Sequence, residues 1–417
     1  MIRDELRKSL LIFGVLHLAI FLGFYVVIAQ LYYPASGEYE RSLALQMLDG
    51  RLPYRDFVFE YPPLVILAFL APALLFRTPL AYSFAFAGEL LLFDLTILVL
   101  LASLAARFNV SVRGSLVVYT VLLLAVGPLA VCRYDLLPAM LVLASLWAFV
   151  SRRTAVAWTL IALGVAAKIY PIVLVPLFFV YQVINREYQR LLRGIVCFLG
   201  VLFVVAIPWL IIDTGGFWHS LTYHLERGLH SESTYGTALL MAQVLGWTSV
   251  EGSLTYGSWN IASPLADALG GLSFYLTVAS LTLVYGLFGW LLRKGLTTRS
   301  EVTTLRPQDR GWILLQFASL AVLIFMLTNK VFSAQYLLWL CPLLPLLGGR
   351  TRYLVWLLFA VAAALTQYVF PYHYIEFELG GSGTVAVLAS RNVLLAVTAF
   401  VILWGVMHSG GILSQRH

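Results

Sequence analysis

The sequence predicts an all-α polytopic membrane protein with about twelve transmembrane helices and ordered outer loops that carry short interfacial helices. Three observations lead there. Of 417 residues, 61% are hydrophobic and only 11% are charged, whereas a soluble domain carries about 25% charged residues. Apolar runs recur along the whole chain, separated by short polar stretches. Basic and acidic residues also segregate to opposite sides of those runs, as the positive-inside rule requires. The net charge of +7 therefore reflects cytoplasmic loops, and the expected surroundings are membrane lipids and not nucleic acid.

Each element follows from local sequence. The run 10–32 follows Arg7-Lys8, is long enough to span and lacks a small-residue cleavage site, so it reads as a first span and not a signal peptide. The next stretch, 36–64, holds Glu38, Glu40, Asp49, Asp56 and Glu60 beside Arg41, Arg51 and Arg55. Leu43, Ala44, Met47 and Leu48 recur at helical spacing among Glu40, Arg41, Gln46 and Asp49, which is the pattern of an amphipathic helix lying on a bilayer. Gly50, Pro53 and Pro62-Pro63 then force turns and extended backbone. The expectation is an ordered loop that holds a carboxylate at a membrane face.

Further apolar segments fall at about 80–105, 114–131, 137–150, 154–168, 171–184, 194–213, 272–292, 311–328, 335–348, 353–370 and 388–408. Several are shorter than the roughly 20 residues of a straight span, as expected of helices that stop at a water-filled cavity. Residues 63–77 are apolar but short and broken by Pro72. Counting them as a span would turn Arg152-Arg153 outward, so they read as interfacial or re-entrant. With both termini cytoplasmic, the inner loops collect most of the 27 Lys and Arg residues, among them Arg107, Arg113, Arg186, Arg193, Arg299, Arg306, Arg352 and Arg416. Most acids lie outside or in spans. The long outer loop 214–271 carries Trp218, Trp247 and Trp259 as interface anchors. The chain reads as one integrated membrane domain. Its catalytic module covers 1–271, with outer loops 33–79 and 214–271, and its scaffold covers 272–417.

The outer basic residues are few, and they sit in polar motifs: Arg133 in Cys-Arg-Tyr-Asp-Leu-Leu-Pro, Lys168 in Lys-Ile-Tyr-Pro, Arg227 in His-Leu-Glu-Arg-Gly, and Lys330 in Asn-Lys-Val-Phe-Ser-Ala-Gln-Tyr. Charge beside a bilayer is expensive, so a functional site is the default reading. Cations there suit a lipid-borne phosphate, with Arg binding through its fork and Lys as a point charge. A sugar on a polyprenyl phosphate already has a good leaving group. The protein then needs a carboxylate to take a proton from the acceptor hydroxyl and cations to stabilise the departing phosphate. Nearby Tyr and Trp rings suit sugar faces.

No phosphate-binding P-loop, His-Glu-x-x-His or Gly-x-Ser-x-Gly pattern is present. His224 and His230 are six apart and share no helical face, and Cys132, Cys197 and Cys341 lie in apolar surroundings without paired spacing. No metal site or cofactor is expected. Asp94, inside the second span, reads as a buried, hydrogen-bonded helix-packing residue.

Five motifs in order carry a resemblance: Gly50-Arg-Leu-Pro-Tyr-Arg-Asp-Phe57 with Glu60-Tyr-Pro-Pro-Leu64; Arg133-Tyr-Asp-Leu-Leu-Pro138; Lys168-Ile-Tyr-Pro171; Glu226-Arg-Gly228 with Glu232-Ser233; and Lys330-Val-Phe-Ser-Ala-Gln-Tyr336. Together they resemble glycosyltransferase family 87, of the GT-C superfamily. The resemblance implies a GT-C-like fold and an inverting transferase without a cofactor, acting at the outer face of the cytoplasmic membrane. The donor would be a polyprenyl-phosphate sugar, commonly mannose, and the acceptor a lipid or glycan hydroxyl. The superfamily's base is usually an Asp early in the first loop. Here Ser36-Gly-Glu-Tyr-Glu40 stands in that place, which makes Glu38 the candidate base and Glu40 the reserve. The implied substrate-binding set is Tyr54, Arg55, Asp56, Glu60, Tyr61, Arg133, Asp135, Lys168, Tyr170, His224, Arg227, Glu232, Lys330 and Gln335, with Glu60 also able to orient the loop. A transporter or flippase of a lipid-linked sugar is the competing class, and it would carry inverted repeats between halves.

Overall fold

The computed structural model describes residues 2–32, 37–297 and 307–408. Ser36, Arg299, Arg306 and Arg416 lie outside the described residues, as does the side chain of His224. The helices in chain order are α1 (Ile2–Tyr32), α2 (Glu38–Leu48), α3 (Val65–Leu75), α4 (Pro79–Arg107), α5 (Val112–Val126), α6 (Leu129–Cys132), α7 (Leu136–Val150), α8 (Thr154–Ala167), α9 (Val175–Ile184), α10 (Tyr188–Ile212) and α11 (Thr214–Glu226). Strand β1 (Leu229–His230), helix α12 (Thr234–Val244) and strands β2 (Glu251–Thr255) and β3 (Ser258–Ala262) follow. The chain continues through α13 (Pro264–Thr297), α14 (Pro307–Thr328), α15 (Arg352–Gln367), α16 (Tyr374–Glu378) and α17 (Ser382–His408).

The protein is a membrane protein. Among the described residues, seven helices are long and apolar enough to cross a bilayer: α1, α4, α10, α13, α14, α15 with its continuation to Tyr372, and α17. They fall on seven of the twelve apolar segments in the sequence. The other five become shorter apolar helices or 3-10 turns of 10–17 residues. Helix α3, the segment read as interfacial, has 11 residues, about 16 Å at 1.5 Å per residue, roughly half of the hydrocarbon thickness.

The chain forms two compact units that interleave along the sequence. The first comprises residues 1–104, 127–172 and 192–226. Its least buried long helix is α10, of which only 6% of the apolar window is buried. Helices α1 and α4 are joined at mid-length, where His17 Nδ1 lies 2.6 Å from Asp94 Oδ2 with both side chains fully buried. Asp94 is thus a helix-packing residue, as the sequence suggests. Helices α7 and α8 form an antiparallel hairpin turned at Arg152, whose φ is 61. The α7 N-terminus therefore lies beside the α8 C-terminus.

The second unit comprises residues 105–126, 173–191 and 227–417. Its core is α14, with 83% of its window buried and packed by α13, α17 and α9. The loop after Arg227 is not wholly helical. Its three strands form an antiparallel sheet in the order β1-β3-β2, with Leu229 opposite Ile261 and His230 opposite Asn260. The β2–β3 turn is Tyr256-Gly257, both at positive φ, the arrangement that matches the twist of paired strands. Leu229, Leu239, Ile261 and Ala266 close a small core beneath it. The fold is mostly helical, as expected, and this small sheet is added to it.

Candidate functional site

Three of the five motifs meet within the first unit. Glu40 stands in the first turn of α2 and is buried, at 3% exposure. Its Oε1 lies 3.8 Å from Arg133 Nη1. Arg133 is the extended residue that ends α6, so its side chain leaves the helical run and reaches α2. Burial raises the Glu40 carboxyl above the usual carboxylate range, Arg133 pulls it back, and Glu60 adds to the rise.

Glu38 has a different environment. Arg41 grips both of its oxygens, with Nε to Oε2 at 2.8 Å and Nη2 to Oε1 at 2.5 Å. Arg41 also donates to the Arg77 carbonyl at 2.7 Å. This is an i,i+3 pair that fastens the start of α2 to the chain before α4.

Asp135 and Lys168 meet because of the α7–α8 hairpin. Lys168 Nζ is 2.6 Å from Asp135 Oδ1, and Asp135 is 1% exposed. The acid precedes the N-terminus of α7 and the base follows the C-terminus of α8, where each helix dipole favours that charge. Lys168 Nζ also lies 4.7 Å from the Tyr134 ring centroid.

Aromatic rings bind the three motifs together. Tyr61, Phe69 and Tyr134 are mutually edge-on, with centroids 5.3 to 5.8 Å apart. Leu64 N donates to the Ala166 carbonyl at 3.0 Å, which pins the end of the first loop beside Lys168. Tyr39 donates to Glu60, its oxygen 2.7 and 2.8 Å from the two carboxylate oxygens. Glu60 thus ties the loop to α2. Tyr170 is buried in the 3-10 turn that follows Lys168.

The loop between these points is rigid for identifiable reasons. Tyr54 has φ 69, donates to the Tyr61 carbonyl at 2.7 Å, and packs edge-on to Phe59, Trp209 and Phe217. Gly216 lets α11 approach it: a Cβ there would stand 1.8 Å from the Tyr54 carbonyl oxygen. Asp56 accepts from Leu52 N at 2.7 Å and pairs with Arg55 at 2.9 Å. Arg55, then the Leu52 amide, hold its carboxyl down to about 2. A recess of about 180 Å³ opens here, lined by Arg55, Asp56, Phe57, Val58 and His219 among others.

The other two motifs, from Arg227 onward, meet within the second unit. Lys330 Nζ donates to the Arg227 carbonyl, and His230 N donates to the Lys330 carbonyl at 3.0 Å. His230 is buried, its Nδ1 lies 2.6 Å from the Phe332 carbonyl, and burial followed by Arg227 keeps the ring neutral, well below its ordinary pKa. Burial and Arg227 also lower Lys330. Glu232 is buried and followed by Ser233, whose hydroxyl caps α12 by accepting from Gly236 N at 3.0 Å. Gln335 is half-buried in the 3-10 turn Ala334–Trp339. His224 belongs to α11 in the first unit.

One residue escaped the sequence reading. Arg391, in α17, is fully buried, and its Nη2 lies 2.7 Å from the Glu232 carbonyl. The signal was there, a lone Arg inside an apolar span, but the region was read as scaffold. Among the described residues no three His, Cys, Asp or Glu side chains group as a metal site.

No family model and no curated protein matches the chain. Among solved structures, the chain is similar to ArnT from Cupriavidus metallidurans, crystallised bound to undecaprenyl phosphate, with TM-score 0.47 and 15% identity over 94% of this chain and 76% of that one. That likeness is loose.

Proposed function

We propose that this protein is an inverting glycosyltransferase of the GT-C type. It takes a sugar, mannose in our reading, from a polyprenyl phosphate and gives it to a hydroxyl of a lipid or glycan at the outer face of the cytoplasmic membrane. The observation that carries the proposal is the buried Glu40 carboxylate beside Arg133, in a loop that follows the first membrane-length helix.

The chemistry runs as one displacement. The acceptor hydroxyl gives its proton to Glu40 while its oxygen bonds to the anomeric carbon. The bond from that carbon to the phosphate oxygen breaks, and the phosphate leaves with the electron pair. Phosphate needs no proton to depart, so one carboxylate suffices. Cations must meet the growing charge on the phosphate. Arg133 and Lys168, which stand with Glu40 in the first unit, are the groups assigned to that task; Arg227 and Lys330 are read as substrate-binding residues.

Glu40 takes the base role in preference to Glu38. A base works best with a pKa near the operating pH, and burial raises Glu40 in that direction. Both oxygens of Glu38 are engaged by Arg41, so Glu38 serves to fasten α2. Tyr54, Arg55, Asp56 and Tyr61 shape the sugar side of the loop.

The test is transfer from radiolabelled polyprenyl-phosphate mannose by the purified full chain in liposomes. A labelled product that Glu40→Gln abolishes supports the reading. Movement of the labelled lipid between leaflets with no transferred sugar would instead indicate a flippase.

A further inference from the structure

We propose that Arg391 is a positioning residue that sets the register of the two substrate-binding segments of the second unit. The proposal rests on the substrate-binding reading of Arg227 and Lys330 given above. Arg391 lies about 14 Å along the axis of α17 from Ser382, at 1.5 Å per residue. It is fully buried inside a helix of membrane-spanning length. A guanidinium at that depth persists only where its surroundings compensate it.

The compensation comes from two separate stretches of chain. Arg391 Nη2 donates to the Glu232 carbonyl at 2.7 Å, and Nη1 lies 4.0 Å from Glu232 Oε2. The guanidinium carbon also stands 4.1 Å from the Phe332 ring centroid. Asn392 adds to the first contact: its amide reaches the Glu232 carbonyl at 3.4 Å and the Thr237 hydroxyl at 3.1 Å. One turn of α17 therefore grips the Glu232-Ser233 motif and the Lys330–Phe332 motif at once.

Those two segments belong to the motifs that carry Arg227 and Lys330. His230 is hydrogen-bonded to the carbonyls of both Lys330 and Phe332, and the Lys330 ammonium donates to the Arg227 carbonyl. A shift of either segment moves both cationic heads. A lysine at 391 would keep the charge, but a point charge lacks the planar fork that donates to a carbonyl while lying over a ring. Nε and Nη1 of Arg391 make no hydrogen bond among the described residues. The grip therefore depends on the single Nη2 bond, the Phe332 face and the nearby Glu232 charge.

The test uses the full chain carrying Arg391→Lys and, separately, Phe332→Leu. Polyprenyl phosphate serves as the binding probe and polyprenyl-phosphate mannose as the substrate. For Arg391→Lys we expect the Kd for polyprenyl phosphate and the KM for donor to rise about tenfold, with kcat within about threefold of wild type, the signature of lost binding and not lost chemistry. Phe332→Leu, which removes no charge, is expected to shift both about threefold in the same direction. Wild-type Kd and KM in Arg391→Lys would overturn the proposal, as would a loss confined to thermal stability. If Arg391→Lys does not fold, unchanged Kd and KM in Phe332→Leu overturn it. A wild-type chain that binds no polyprenyl phosphate brings down the donor reading and this inference together. A wild-type chain that binds it as tightly as both variants brings down this inference alone.

Discussion

Glu40 is shut away from solvent while its carboxylate lies 3.8 Å from the Arg133 guanidinium. That pair defines a carboxylate held between two opposing influences, burial that favours its protonated form and a cation that favours the ionised one. Most of what can be measured on this protein follows from that balance.

Removing the carboxylate should remove the chemistry and leave binding intact. Glu40→Gln is expected to lower kcat by about three orders of magnitude, within the range for a positioned base. Glu38→Gln should cost less than about fivefold, because Glu38 is held by Arg41 in a partly exposed i,i+3 pair, and such pairs contribute little. Steady-state kinetics on both variants, with the Kd for polyprenyl phosphate measured alongside, checks the division of roles.

The pH profile should show the tug on Glu40. A base acts when deprotonated, so activity falls as pH drops through the Glu40 pKa. Burial raises that pKa, and the acid limb of kcat is expected above the usual carboxylate range. Arg133→Met removes the lowering influence and should move the limb to higher pH. Glu60→Gln removes a raising influence and should move it to lower pH. Limbs that move in the same direction would contradict the assignment.

The Asp135–Lys168 pair offers a stability test. Asp135 is 1% exposed and Lys168 16%, so breaking the pair strands a nearly buried charge. Asp135→Asn alone is expected to destabilise by about 3 kcal/mol. Combining it with Lys168→Met should return a substantial part of that loss. Thermal unfolding of the purified variants measures both.

Gly216 tests whether the first loop is docked on α11 as described. A methyl group there meets the Tyr54 carbonyl oxygen at 1.8 Å. Gly216→Ala should therefore push the loop off and cost about 1–3 kcal/mol or more. Gly200→Ala, where a Cβ meets nothing within 4 Å, should be near neutral. Equal unfolding midpoints for the two variants would contradict the docking.

Much of this was legible in the sequence, for physical reasons that can be named. Apolar length located the helices: segments 137–150 and 154–168 became α7 and α8 within a residue at each end. Turn chemistry located the loop, since Gly50, Pro53 and Pro62-Pro63 lie where regular structure stops. The motifs around Arg133 and Lys168 were flagged because charge beside a bilayer is costly, and the hairpin then supplied the pairing. Choosing between Glu38 and Glu40 was beyond spacing alone. Both sit in the first turn of one helix, and only packing tells which one Arg41 engages and which one is buried. The sheet from Leu229 to Ala262 was missed because β1 has two residues and shows no alternation to read. Arg391 was legible as a lone Arg in an apolar span, but its role was not, because its partners Glu232 and Phe332 lie far away in sequence.

The most direct measurement is sugar transfer by wild type and Glu40→Gln, compared in one experiment on radiolabelled polyprenyl-phosphate mannose with polyprenyl phosphate binding followed in parallel. Labelled product is expected from the wild type, essentially none from the variant, and equal lipid binding by both. Undiminished transfer by Glu40→Gln, or tight binding of the lipid by a wild type that transfers no sugar, would contradict the proposed function.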